Sequence, residues 1–101
     1  MTFGAFQQDN WPGLAKLIEE AAEVTQVAAK LTATNGELNY WGGRDLRQEM
    51  IEELGDLQAT IWFLQYENFD HTERRAMLER SLEKLSKFTD WHREGENHDL
   101  R

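Results

Sequence analysis

Residues 45–68 read DLRQEMIEELGDLQATIWFLQYEN, and the period of this stretch decides the fold. Leu46, Met50, Leu54, Leu57, Ile61 and Leu64 recur at intervals of three and four. That is the spacing of one face of an α-helix, and no strand-like alternation competes with it. Asp45 stands where an N-cap belongs, with Gln48 three residues on as its capping-box partner, so a helix is predicted from Asp45 to near Asn68. Toward the N-terminus, a second helix is predicted from about Pro12, where a missing N–H costs nothing, to about Thr32. Its stripe is Leu14, Leu17, Ile18, Ala21, Thr25, Ala28 and Leu31. Toward the C-terminus, a third is predicted from about His71 to Arg93, capped by Asp70 and carrying Leu78, Leu82, Leu85 and Phe88 inward. Asn35-Gly36 and Gly42-Gly43 mark the one clear break. Residues 1–11, with Phe3, Phe6 and Trp11, form either a short helix or an extended arm, and residues 94–101 a polar, flexible tail. The expected class is all-α, a single domain over residues 1–101 built as a bundle of three main helices.

The chain has 101 residues with 40% apolar residues, enough for one domain with a thin core. Trp62 and Phe63 point away from the Leu57, Ile61, Leu64 stripe. Three helices cannot cover both faces, so either a second copy of the chain or the N-terminal arm must do so. Homo-oligomerisation, as a dimer or tetramer, is the expected completion. With no cysteine, disulfides, thiolate metal sites and a cysteine nucleophile are excluded together. The longest uncharged run, Leu57 to Tyr66, is too short to cross a bilayer. Met1 to Asn10 contains Asp9 and no basic residue, unlike a secretory leader. A cytoplasmic location is therefore expected.

Net charge is -8, from 19 acidic and 11 basic residues. Such a balance argues against a nucleic-acid partner held through its phosphates. The excess is local: Glu19, Glu20, Glu23 and Glu52, Glu53, Asp56 form two short clusters, and without those six the two signs nearly balance. Glu20 and Glu23 are three apart, as are Glu53 and Asp56, so each pair shares one side of its helix with Cβ atoms about 5–6 Å apart. Glu53 falls beside the Leu46, Met50, Leu57 stripe, and Glu20 among Leu17, Val24, Val27 and Leu31. One Glu-x-x-Glu on a helix is ordinarily a solvated face. Two such clusters, each touching an apolar face where an unpaired carboxylate is costly, point to a shared purpose. If the helices pack antiparallel, the four acids face one another and need a cation. An oxygen-only set without His or Cys selects Mg2+, with Mn2+ as substitute. The Glu-x-x-His spacing of di-iron bundles is missing from both clusters. His71, His92 and His98 have no partner spacing and take no role.

The run Lys16-Leu17-Ile18-Glu19-Glu20-Ala21-Ala22-Glu23, followed by Ile51-Glu52-Glu53-Leu54-Gly55-Asp56-Leu57, resembles the EExxE and ExxD motifs of the MazG-like all-α nucleoside triphosphate pyrophosphohydrolases. The likeness covers roughly residues 12–93 and fits a short single-domain member of bacterial or phage type. It implies Mg2+-dependent hydrolysis between the α and β phosphates of a (d)NTP, giving a monophosphate and pyrophosphate. By motif position Glu20, Glu23, Glu53 and Asp56 would be metal ligands. Glu19 and Glu52, turned further round each helix, would be catalytic, serving a second metal shell or holding the attacking water. Lys16, Lys84, Lys87 and Arg93 would flank the phosphates, with Arg44 and Arg47 bordering the second helix. Trp41 would serve substrate binding, and it, Trp11, Tyr40, Phe3 and Phe6 are the aromatics able to stack on a base. The alternative is a non-catalytic, metal-binding helical module acting in assembly or regulation.

Overall fold

The computed structural model describes residues 10–37, 39–40 and 44–99, with the side chains of 39, 40, 44 and 96–99 left aside. Along the chain come α1 (Leu14–Ala33), β1 (Asn39–Tyr40), β2 (Arg44–Asp45), α2 (Leu46–Asn68) and α3 (His71–Asp99). The three expected helices are present. The class is all-α as expected, and the α1–α2 connection adds a two-residue antiparallel ladder pairing Asn39 with Asp45 and Tyr40 with Arg44. Among the described residues no helix is long and apolar enough to cross a membrane. Of the arm or helix expected at residues 1–11, residues 1–9 lie outside the described residues, as does Trp41.

Contacts divide the chain into two compact units, Met1–Asn68 and Phe69–Arg101. In the first, α1 begins two residues later than predicted. Gly13 takes φ +101°, outside the helical region, so Trp11 to Leu14 is a turn closed by the Leu14 N–H donating to the Trp11 carbonyl. At its other end Asn35 and Gly36 have positive φ and turn the chain toward α2. Asp45 caps α2 as predicted, its Oδ1 accepting from the N–H groups of Arg47 (3.0 Å) and Gln48 (3.1 Å). The Gln48 side chain does not close the box. It donates to Glu52 Oε2 instead, one turn on (3.0 Å).

The two helices run antiparallel. Asn68, at the end of α2, donates to the carbonyl of Pro12, before α1, at 2.9 Å. Gly13 lies so near Phe63 that a Cβ there would come within 2.9 Å of the ring. Among the described residues Val27 and Leu46 are the buried apolar side chains, and Thr60 is buried with its hydroxyl donating to the Asp56 carbonyl. The α1 stripe is rotated from the predicted one. Val24 and Val27 turn inward while Ile18, 70% exposed, Thr25 and Ala28 turn out. The inward face is therefore the one that carries Glu20 and Glu23, because valines flank those acids on the wheel. Leu54 is likewise half exposed rather than inward.

The second unit is α3. Asp70 and Glu73 form a complete capping box: Asp70 N–H donates to Glu73 Oε1 (2.9 Å) and Glu73 N–H to Asp70 Oδ1 (2.8 Å). The Arg74 guanidinium reaches the Phe69 carbonyl. Leu78, Leu82, Leu85 and Phe88, predicted to face inward, are all more than half exposed. The unit is a single helix and supplies no second layer of its own. The tail predicted from Glu94 continues as helix to Asp99. Gly95 costs only about 1 kcal/mol in a helix, and no proline follows to stop it.

Candidate metal centre

Midway along the α1–α2 pair the two acidic clusters meet. Glu20 and Glu23 project from consecutive turns of α1, Glu53 and Asp56 from consecutive turns of α2, since residues three apart lie on one side of a helix. The four offer carboxylate oxygens that all lie within 4.8 Å of one another. Opposite ligands of a hard cation, bonded at about 2.0–2.5 Å, stand about 4–5 Å apart. Glu20, Glu23 and Glu53 are half-buried and Asp56 is exposed.

Burial is sharpest at two atoms. Glu20 Oε2 and Glu53 Oε2 are sealed from solvent with no hydrogen-bond partner among the described residues. An orphaned buried acceptor costs about 1–3 kcal/mol, more when charged. Protonation registers the same conflict. Glu53 is pushed up to about 7, first by the hydrogen bond that its protonated form makes with the Glu23 carboxyl. Desolvation follows, then the negative charges of Glu23, Asp56 and Glu20. Glu20 is raised as well, chiefly by burial and then by Glu23, Asp56 and Glu19, with Lys16 opposing. A divalent cation would supply what both orphaned oxygens lack, and the all-oxygen donor set suits Mg2+ or Mn2+.

No protein-family model, curated protein or solved structure matches this chain. The site is thus read from its own residues.

Of the other residues singled out by sequence, Glu19 and Glu52 stand outside the four-acid group. Glu19 is exposed and paired with Lys16 Nζ at 3.1 Å. Glu52, also exposed, accepts from Gln48. Lys16 has a largely covered side chain one turn before Glu20, and Arg47 is exposed. Lys84, half-buried, and Lys87 and Arg93, both exposed, belong to α3 in the second unit. One contributor escapes a reading by motif alone. Thr60 ties its hydroxyl to the carbonyl of Asp56, so the backbone that presents this ligand is held from the next turn.

Proposed function

We infer that the chain is a Mg2+-dependent nucleoside triphosphate pyrophosphohydrolase, converting a (d)NTP to (d)NMP and pyrophosphate and acting as a homodimer or homotetramer. One observation carries this reading: four carboxylates from two antiparallel helices converge within 4.8 Å, two of them with buried oxygens that no described group satisfies. The order of the motifs, EExxE then ExxD, adds the resemblance to the MazG-like enzymes. Exposure of Ile51, Trp62 and Tyr66 in the first unit, and of Leu78, Leu82 and Leu85 in the second, favours a second copy of the chain as their cover.

Glu20, Glu23, Glu53 and Asp56 would hold the metal, which when bound supplies charge neutralisation for the triphosphate and a lowered pKa for water. The protein's part is placement. Two helices fix the four oxygens before substrate arrives, so little ordering remains at the moment of reaction. Glu19 and Glu52 sit at the solvent edge of each cluster, where a carboxylate can orient a water or accept its proton. Lys16, beside Glu19, keeps one positive charge at the rim of an otherwise negative site.

The test is pyrophosphate release across the canonical NTPs and dNTPs and dUTP, in Mg2+, in EDTA, and with Glu53→Gln. Metal-dependent release that the variant loses is the expected result. Silence across the panel from folded, Mg2+-bound protein would point to a modified nucleotide as substrate or to the non-catalytic metal-binding module.

A further inference from the structure

The break that ends α1 carries a reactive dipeptide that the acid site does not use. Of the five asparagines in the chain, Asn35 alone is followed by glycine. A main-chain nitrogen reaches the side-chain carbon of a preceding asparagine most readily when its own residue has no side chain to obstruct the approach. Asn35 and Gly36 form the C-terminal cap of α1, with φ +56° and +85°. The Gly36 N–H donates to the Leu31 carbonyl at 2.8 Å and the Asn35 N–H to the Thr32 carbonyl at 3.2 Å, the two bonds of a Schellman ending. Both residues are exposed, and a Cβ at Gly36 would meet nothing within 4 Å. The Asn35 carboxamide makes no hydrogen bond among the described residues. Asn68 is the contrast, its carboxamide held by the Pro12 and Leu64 carbonyls, each at 2.9 Å. The Gly36 nitrogen is restrained by its bond to Leu31, and release does not strand that carbonyl. The Thr34 hydroxyl already lies 3.3 Å from it, and a helix end opens at a small part of the global unfolding cost.

We propose that Asn35 is a site of spontaneous deamidation and isomerisation in the folded protein, reached by opening of this cap, and that the isomerised product cannot rebuild the cap. The Gly36 nitrogen, its proton passed to solvent, bonds to Asn35 Cγ. The Cγ–Nδ2 bond breaks, the amide nitrogen leaves as ammonia with a proton taken from solvent, and a cyclic imide closes. Water then opens the ring. Addition at Cγ leaves aspartate in an ordinary main chain. Addition at the main-chain carbonyl carbon leaves isoaspartate, the chain now running through Cβ and Cγ with the α-carboxylate free. One water is consumed for each ammonia released, and nothing is oxidised or reduced. Isoaspartate lengthens the path from the Cα of residue 35 to the Gly36 nitrogen by a bond, so the Gly36 N–H no longer meets the Leu31 carbonyl. Either product sets a negative charge at the C-terminal end of α1, where the last carbonyls already concentrate partial negative charge. The proposal is independent of the nucleotide reading.

Ageing the full folded chain in neutral buffer at physiological temperature tests this, read by peptide mass spectrometry and by methyl transfer from an isoaspartyl methyltransferase. Trypsin releases residues 31–44 as one peptide, whose fragments distinguish Asn35 from Asn39. Asn35 should convert, take up heavy oxygen when the buffer water is so labelled, and become a methyl acceptor. Asn10, Asn39, Asn68 and Asn97 should stay intact over the same period. Hydrogen exchange reads the consequence. In the isoaspartyl product the Gly36 amide should exchange about tenfold faster, the equivalent of one hydrogen bond lost, while the amides of α2 keep their rates. Asn35→Gly retains a residue suited to the left-handed cap and removes the carboxamide, so this variant should show neither conversion nor any change of exchange with age. An Asn35 that stays intact in the folded chain, whether or not the urea-unfolded chain converts, would overturn the proposal. Conversion of the other asparagines at the rate of Asn35 would overturn it too, as would an isoaspartyl product whose Gly36 amide exchanges like the parent's.

Discussion

Gly13→Ala should be among the most damaging small substitutions in the first unit, and the geometry says why. Gly13 has φ +101°, a conformation that costs an L-residue about 1–2 kcal/mol. It is buried, and an added Cβ would meet Phe63 Cδ2 at 2.9 Å and Cε2 at 3.3 Å. Leu64 Cδ1 stands 3.5 Å from the same point, and overpacking there adds about 1–3 kcal/mol. The two effects together give about 2–5 kcal/mol, or a fall in Tm of roughly 10 °C or more for a chain of this length. Gly55→Ala is the control. Gly55 is inside α2 with nothing within 4 Å of an added Cβ, so alanine there should stabilise by about 0.5–1 kcal/mol. Urea unfolding followed by circular dichroism at 222 nm reads both. A Gly13→Ala protein within about 0.5 kcal/mol of the parent, the range of an ordinary surface change, would refute the assigned contact between the α1 entrance and Phe63.

Millimolar Mg2+ should raise Tm, because a ligand bound only by the native state stabilises it by about 2.7 kcal/mol at a hundred times its Kd; Glu53→Gln and Asp56→Asn should each abolish the rise without loss of helicity. Glu53 keeps its proton to about 7 in the folded protein against 4.5 in the unfolded chain, so without metal the native state binds more protons between those values. Metal-free stability should therefore be fullest below about pH 4.5 as far as this group is concerned, and fall as pH rises toward 7 and above. The Mg2+-induced rise in Tm should grow over the same interval, and a pH-independent rise would remove Glu53 from the ligand set. Asp70→Ala removes the side chain that accepts from Glu73 N–H at 2.8 Å and should cost about 1 kcal/mol, seen in hydrogen exchange as faster opening of the first turn of α3 and not of α2.

The elements were legible where one signal acted alone. Helix α2 follows from its period and from Asp45, and the acid constellation from two clusters of identical spacing. The reading failed where signals competed. On α1, Ile18 and Val24 are equally apolar, and only pairing with α2 decides that the face bearing Glu20 turns inward. The start of α1 moved because Gly13 answers to Phe63, fifty residues away, which no local rule can see. The leucine stripe of α3 is periodic enough to predict a helix. A stripe does not specify its cover, and Leu82 is 57% exposed in the chain.

The link from Asn68 to the Pro12 carbonyl joins residues 56 positions apart, and it gives the helix pair a direction of assembly. Thr34 to Asp45 is a short connection, so closure there costs little chain entropy, and pairing can propagate from it toward the open ends. On that order the acids would come together partway and the Pro12–Asn68 clasp would close last. Interactions made that late govern how fast a protein comes apart more than how fast it forms. The clasp thus acts as a kinetic latch on a hairpin whose middle carries four converging carboxylates.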